Sequence, residues 1–295
     1  MEEKIHILLF YKYAQIENPD KFIEKHLKMC RSIGLMGRIL VAHEGINGSV
    51  SGTREQTEEY KKMMWLDDRF SDIFFKEDIG LMHPFKKMIV KTKKEIVNFG
   101  VSVDLKNTGK NLTPREFLEL YDDNEDVIIL DARNEYESRV GKFKNALTLP
   151  IKTFRDFPEA VKKIEHLKDK KIVTYCTGGI RCEKASAYLK EQGFMDVSQL
   201  KGGILTFGKE FPDSVWEGTC FVFDKRLLSK VNSNDNLITN CEICNIKCDL
   251  YKNCRNNSCD KFTSICVDCD REFAGCCSKS CFESYMKERM MKSVK

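Results

Sequence analysis

The segment from Lys171 to Gln192, KIVTYCTGGIRCEKASAYLKEQ, constrains the fold more than any other. An apolar, β-branched run (Ile172, Val173, Thr174, Tyr175) meets Cys176. Thr177, Gly178, Gly179, Ile180 and Arg181 follow, and then strong helix formers from Glu183 to Lys190. The pattern is strand, tight loop and helix, with a cysteine at the turn. Gly178 and Gly179 let successive backbone N–H groups point inward, and the helix adds its positive N-terminal end, so the loop is expected to cradle an anion. A thiol there ionises easily, because a helix N-terminus and a nearby guanidinium, here Arg181, lower a cysteine's pKa. A lone cysteine at a strand end is ordinarily a buried structural residue. The two glycines and the arginine favour a reactive nucleophile instead.

Cys176 to Arg181 resembles the six-residue active-site loop of rhodanese domains, in which the cysteine carries a persulfide sulfur. Ile128-Ile-Leu-Asp-Ala-Arg133 with Glu137 and Gly141, and Leu200-Lys-Gly-Gly203, fit the same pattern. A related phosphatase group holds phosphate in a longer loop, whereas this one is sized for sulfur.

A chain of 295 residues has room for two or three domains, and 42% hydrophobic with 32% charged residues is ordinary globular composition. Low-complexity segments and apolar runs of transmembrane length are absent from the sequence. The start, MEEKIHILLF, puts Glu2 and Glu3 where a signal peptide would carry positive charge. A cytosolic protein without membrane association is expected. The net charge of +4, from 49 basic and 45 acidic residues, permits a nucleic-acid partner without requiring one. Of fourteen cysteines, Cys30, Cys176, Cys182 and Cys220 are scattered, and ten fall between Cys241 and Cys281. In a reducing compartment such a cluster points to metal, and the tail to a separate unit.

In chain order, Ile5–Tyr11 reads as a strand and Pro19–Ile33 as a helix ended by Gly34 and Gly37. Arg38–Ala42 and Ile46–Val50 read as strands, Thr53–Leu66 as a helix capped by Thr53 and Gln56, and Ile73–Phe75 and Lys87–Lys91 as later strands. This is the split βαβ order of a ferredoxin-like domain. Within it, His43-Glu-Gly-Ile-Asn-Gly48 is a hairpin on composition, and the five lysines from Lys86 to Lys94 are a solvated edge strand or a phosphate contact. From Thr113 the pattern changes. A capping box at Thr113-Pro-Arg-Glu116, a buried strand at Val127–Leu130, a helix at Pro158–His166, the strand into Cys176, the helix Glu183–Gln192 and a strand at Val197–Leu200 imply a parallel α/β sheet. Ligands of such sheets sit at the carboxyl ends of the strands, where Cys176 lies. Asp131 and Arg133 share that edge and read as an ion pair bracing the loops. Cys182 either resolves an oxidised or persulfidated Cys176 or is a small packed residue at a helix start. Cys220, in an apolar run, packs against the domain.

In the tail, Cys241-x2-Cys244 and Cys266-x2-Cys269 have zinc-knuckle spacing, while Cys254-x4-Cys259 and Cys277-x3-Cys281 are wider pairs. These four pairs make two tetrahedral sites, coupled either in sequence or as a cross-brace, with Cys248 and Cys276 spare. Two structural zinc ions are favoured over an iron–sulfur cluster, since sites of four thiolates are typically closed and structural. A segment this poor in large apolar side chains needs metal to hold it.

Taken together, Glu44-Gly-Ile-Asn-Gly48, His83-Pro-Phe85, Lys94-Glu-Ile-Val97, Asp131 to Glu137, Tyr175 to Glu183, Lys201-Gly-Gly-Ile204 and Phe221-Val-Phe-Asp-Lys-Arg226 are similar to the bacterial rhodanese-domain tRNA uridine(34) hydroxylases. The cysteine tail is similar to that of a subset of the family. The resemblance implies a ferredoxin-like domain over residues 1–100, a rhodanese domain over 112–220 and a cysteine-rich zinc-binding domain over 221–295. It also implies oxygen-dependent hydroxylation of carbon 5 of the wobble uridine, with Cys176 essential, molecular oxygen as cosubstrate and the anticodon loop of tRNA as partner. A flavin or nicotinamide fingerprint is absent from the sequence, and His6, His26, His43, His83 and His166 suggest no iron triad. A sulfurtransferase or persulfide carrier served by a sulfur donor protein, and a zinc-dependent RNA- or protein-binding module, are the other readings. If RNA binds, Lys86, Lys87, Lys91 and Asn47 are its expected contacts, with the wobble base turned toward Cys176.

Overall fold

The computed structural model describes residues 4–122, 126–222, 224, 226, 228–229, 231–233, 237–248, 250–259 and 261–293. Glu2, Glu3 and, within the Phe221–Arg226 motif, Phe223 and Lys225 lie outside the described residues.

The N-terminal unit runs β1 (Ile5–Tyr13), α1 (Pro19–Ile33), β2 (Met36–Ala42), β3 (Gly45–Gly52), α2 (Arg54–Trp65), β4 (Lys76–Gly80) and β5 (Met88–Thr92). Its sheet has the order β4-β1-β3-β2-β5, antiparallel except where β5 runs beside β2. The helices form where their caps allow. The Asn18 side chain accepts from Lys21 N, Gly34 closes α1 in the left-handed region, and Thr53 and Gln56 make the expected capping box on α2. Leu8, Phe10, Ile39, Val41 and Val50 meet these helices in one buried cluster, each full side-chain burial contributing about 1.5–3 kcal/mol.

The strand expected at Ile73–Phe75 does not form, and pairing begins at Lys76, opposite Leu9. Local bonds have already taken this backbone: Ile73 N donates to Phe70 O, and the Trp65 indole donates to Ile73 O. Ile73 and Phe75 still enter the core.

The second unit runs β6 (Lys110–Leu112), α3 (Pro114–Asp122), β7 (Val127–Asp131), α4 (Glu135–Val140), β8 (Gly141–Phe143), β9 (Leu147–Thr148), α5 (Phe157–Val161), β10 (Lys171–Tyr175), α6 (Ile180–Glu191), β11 (Asp196–Leu200) and α7 (Gly203–Glu210). The sheet β6-β11-β10-β7-β9 is parallel, as expected, and β10 is its middle strand. One apolar cluster, with Phe157, Ala185 and Leu189, covers one face, and another, with Phe117, Phe143 and Phe207, covers the other.

Three expectations change. The helix at Pro158–His166 holds α geometry only to Val161; residues 162–167 tighten to a 3-10 helix, with buried Ile164 at a non-helical φ of −114°. Neither α4 nor α7 was anticipated, because both are short. The helix after the cysteine loop begins at Ile180, so Ile180 and Arg181 belong to its first turn and Cys182 is its third residue.

Beyond α7, β12 (Trp216–Gly218) pairs with β8, and β13 (Cys220–Phe221) with β14 (Leu228–Ser229). Trp216, Cys220 and Val231 pack into the core of the second unit. The cysteine-rich tail carries β15 (Tyr251–Asn253), β16 (Phe262–Ser264), α8 (Val267–Glu272) and α9 (Lys279–Ser293). Among the described residues no helix is long and apolar enough to cross a membrane.

Candidate active site

Strand β10 ends at Tyr175, and Cys176 begins the loop that α6 closes. The Gly179 N–H donates to Cys176 Sγ at 3.1 Å. Burial opposes ionisation of this thiol. It is outweighed by a hydrogen bond from Cys182, the Arg181 guanidinium and the N–H groups of Arg181 and Cys182, which together bring Cys176 down to about 5. Cys182 moves the opposite way: burial and the neighbouring Cys176 push it well above the usual thiol range. It is 1% exposed, with its thiol turned to the first sulfur.

Two glycines set the loop's shape. Gly179 has φ of 98°, and a Cβ there would lie 2.9 Å from Tyr11 Oη. At Gly203, φ is 67°, and a Cβ would meet Cys176 O at 2.3 Å. The missing side chain lets α7 dock end-on, with Ile204 N and Leu205 N donating to the carbonyls of Cys176 and Thr177 at 3.0 and 3.1 Å.

Arg181 is held by Glu137, whose carboxylate accepts from both terminal guanidinium nitrogens, at 2.6 and 2.8 Å. Thr177 Oγ1 lies 3.3 Å from Arg181 Nη2. Behind the loop, Arg133 pairs with Asp131 at 2.6 Å and donates to Gly141 O at 2.7 Å, while the Tyr175 hydroxyl donates to Asp131 at 2.6 Å. Asp131 and Arg133 are fully buried and do not line the cavity in front of Cys176.

That cavity, about 600 Å³, lies between the loop and the helix-free face of the N-terminal sheet. Its volume suits a small organic ligand or a single base. Ile7, Leu9 and Tyr11 of β1, Arg38 and Leu40 of β2, Asn47 and Ser49 of β3 and Lys76 of β4 form one wall. Cys176 to Gly178, Ile180, Arg181, Ile204 and Leu205 form the other. Contacts between the units fix its width. The Tyr11 hydroxyl donates to Glu183 at 3.1 Å, and Tyr13 to Ile180 O at 3.3 Å. Lys184, 3% exposed, bonds Glu95 at 2.8 Å and Glu44 at 2.9 Å.

The unusual hexapeptide has its place here. It turns at His43-Glu44, Glu44 accepts from Ile96 N at 2.8 Å, and Asn47 donates to Ile96 O at 2.8 Å. Both side chains therefore fasten the segment that crosses between the units. Asn47 also lines the cavity, whereas Lys86, Lys87 and Lys91 are exposed outside it.

Glu137's grip on Arg181, the Lys184 triangle and the buried cation Lys76 were not anticipated. One signal existed: β1 is apolar on both faces, with Leu8 and Phe10 alternating with Ile7, Leu9 and Tyr11, which an antiparallel strand with one wet face would not be.

In the tail, Cys241, Cys244, Cys266 and Cys269 converge, and so do Cys254, Cys259, Cys277 and Cys281, with the sulfurs of each group within 4.8 Å of one another. The first pair joins the third and the second joins the fourth, which is the cross-brace. Sulfur separations of 3.6 Å (Cys244–Cys266) and 3.7 Å (Cys259–Cys277) are near the edge of about 3.8 Å that a four-sulfur tetrahedron with metal–sulfur bonds of about 2.3 Å requires. Backbone N–H groups of Ile243, Cys269 and Cys277 point at Cys241, Cys266 and Cys254 sulfurs, as ligand thiolates need. Both groups can hold a metal ion. Cys248 Sγ faces Ser264 Oγ at 3.2 Å, Cys276 is fully buried, and neither belongs to a group.

Family models match along the chain: UPF0176 acylphosphatase like domain over residues 5–96, Rhodanese-like domain over 113–210 and Rhodanase C-terminal over 217–282. The tRNA uridine(34) hydroxylase of Cytophaga hutchinsonii is 46% identical over 278 residues, covering 93% of this chain and 89% of that protein. Its namesake in Bacillus licheniformis is 46% identical over 288 residues (95% and 89%), and that of Onion yellows phytoplasma 44% over 282 (93% and 91%). With such identity sustained across both units and the cysteine tail, the chain belongs to the tRNA uridine(34) hydroxylase family.

Proposed function

We propose that this chain hydroxylates carbon 5 of the uridine at wobble position 34 of tRNA in an oxygen-dependent reaction, giving 5-hydroxyuridine, and that Cys176 is the essential active-site residue. The observation that carries this reading is the opening of an ionised cysteine onto a cavity sized for one base, walled on its far side by a second domain. At neutral pH a thiol brought down to about 5 is thiolate, the form with nucleophilic and redox reactivity. Thr177 to Arg181 hold it, and Asp131 and Arg133 brace the loop from behind without reaching the substrate. Chemistry on a base requires it unstacked, and the single-stranded anticodon loop can deliver one into the cavity while its phosphates stay outside.

For those phosphates the exposed lysines Lys86, Lys87 and Lys91 are the contacts, with Asn47 inside the cavity at the base. Lys91 sits opposite Leu40 in register, and Leu40 lines the cavity, so Lys91 extends the same sheet face outward. The division into domains at 1–100, 112–220 and 221–295, a cytoplasmic location, and two structural zinc ions on the paired cysteine groups complete the reading. Zinc suits these sites because four soft thiolates close a tetrahedron around it and hold a segment with little apolar core.

Nucleoside mass spectrometry of tRNA decides the matter. Cells lacking the protein are expected to lose 5-hydroxyuridine and its derivatives, and wild-type chain but not Cys176→Ser to restore them. Retention of the nucleoside without the protein, or loss of a sulfur atom instead of an oxygen, would overturn the assignment.

A further inference from the structure

Lys76 opens β4, and its pairing opposite Leu9 turns it to the cavity instead of the core. It is 7% exposed. Its ammonium stands 5.2 Å from the centre of the Tyr11 ring and 5.4 Å from that of Phe74, and among the described residues it has neither a hydrogen bond nor an ion pair. The buried Arg181 is committed to Glu137 and the half-buried Arg226 to Asp224 and Asp78, while the exposed Lys209 donates to the Glu77 carbonyl. On its own strand Glu77 is paired with Lys61 and Asp78 with Arg226. From the neighbouring elements Tyr11, Cys176 and Glu183 are the titratable groups that face it. Burying a cation with no anion in hydrogen-bond contact is costly, and two aromatic rings and the more distant charges of Cys176 and Glu183 offset only part of that cost. Its position therefore suits a ligand group that brings an acceptor.

We propose that Lys76 is a specificity-determining residue of the cavity, donating a hydrogen bond to the carbonyl oxygen at position 4 of the uracil ring and thereby rejecting cytosine. This rests on the reading of a wobble uridine as substrate. A carbonyl fits better than a phosphate, which calls for several convergent donors, whereas Lys76 stands against the Tyr11 and Phe74 rings and opposite Leu9. Cytosine presents an amino donor where uracil presents the acceptor, so the ammonium would face a donor instead of an acceptor. A site built on a buried polar contact discriminates far more strongly than an apolar one. Burial lowers Lys76 to about 8. Below that pH the group only donates; above it the free amine can accept from cytosine, and the preference fades.

Equilibrium binding of two anticodon stem–loop RNAs differing only in uridine or cytidine at position 34 tests this with the full chain. Wild type is expected to favour uridine by on the order of tenfold or more at about pH 7, and by much less at about pH 9. Lys76→Met is expected to bind both within about twofold. Lys76→Arg is expected to keep its preference at both pH values, because a guanidinium stays protonated. Full preference in Lys76→Met overturns the inference. Should that variant fail to fold, a preference in Lys76→Arg that fades at the same pH as wild type overturns it equally. The parent reading is separated by the tRNA analysis. If cells lacking the chain keep 5-hydroxyuridine, both fall; if they lose it and Lys76→Met still discriminates, only the role of Lys76 falls.

Discussion

Glu137 accepts from both terminal nitrogens of Arg181, at 2.6 and 2.8 Å, where both side chains are buried. The guanidinium beside the Cys176 loop is thereby fixed in plane, and most of its charge is answered from behind. The Cys176 thiolate is stabilised first by the Cys182 thiol and this fixed guanidinium, and then by the N–H groups of Arg181 and Cys182 in the first turn of α6.

Removing one partner of this pair leaves the other charged and buried. Glu137→Leu is expected to cost about 3–5 kcal/mol, whereas its combination with Arg181→Met costs clearly less than the two single changes together. Urea unfolding of the four proteins measures the coupling. Additive losses would mean the pair is not the unit described.

Cys176 is expected to titrate near 5, far below the ordinary thiol. The ultraviolet thiolate signal, taken as the difference between wild type and Cys176→Ser, should already be complete at neutral pH. Since the folded pKa lies below the unfolded one, the thiolate stabilises the fold fully above about pH 8.5, and that contribution is lost as pH falls toward 5. The stability gap between wild type and the serine variant should narrow accordingly on acidification. A difference signal that rises only above neutrality would refute the ionised cysteine.

In the tail, each group of four cysteines draws on segments some twenty residues apart in sequence, so neither forms locally. Purified protein is expected to carry about two zinc ions, Cys269→Ser about one, and a strong chelator should unfold the region beyond Asn240 while the rhodanese unit melts as before. Elemental analysis and limited proteolysis read both outcomes. Iron with labile sulfide, or a single site lost with no change in stoichiometry, would contradict the assignment.

Charge reversal at Lys91 and at Arg38 should weaken tRNA binding and flatten its dependence on salt, by roughly 0.7 to 0.9 in slope for each phosphate no longer neutralised. Both residues lie on the cavity side of β2 and β5, where Arg38 faces Ile89 and Leu40 faces Lys91. An unchanged slope would move the RNA to another face, most directly the tail with Lys287 and Arg289.

The parts of this molecule legible in the sequence are those determined within a few residues. The turn at Cys176 carries its own glycines and helix, and Thr53 with Gln56 announces a cap. Register and long-range pairing are different. Two knuckle spacings and two wider pairs fit sequential and cross-braced coupling equally well, and only the fold brings Cys241 to Cys269. Ile73–Phe75 looks like a strand because it is apolar, yet its backbone bonds are used in a turn. That displacement hid Lys76, because in a strand a shift of one residue exchanges the core face for the other.

Lys76 also makes a prediction about stability. Burial depresses it from 10.5 to about 8, so in the folded protein its proton is held less tightly than in the unfolded chain. At about 1.4 kcal/mol for each tenfold change in acidity, keeping the cation at neutral pH costs the fold on the order of 3 kcal/mol. An unfolded lysine retains its proton up to about 10.5. The penalty is therefore complete below about pH 8 and disappears as pH climbs from there toward 10.5. Lys76→Met, similar in length and uncharged, should then raise the melting temperature at neutral pH and lose that advantage in alkali. A residue retained for packing would behave oppositely, destabilising when replaced and by the same amount at every pH. Thermal melts of the two proteins at neutral and alkaline pH distinguish these cases. A stabilised variant that no longer tells uridine from cytidine is the signature of a side chain kept for the substrate at the expense of the fold.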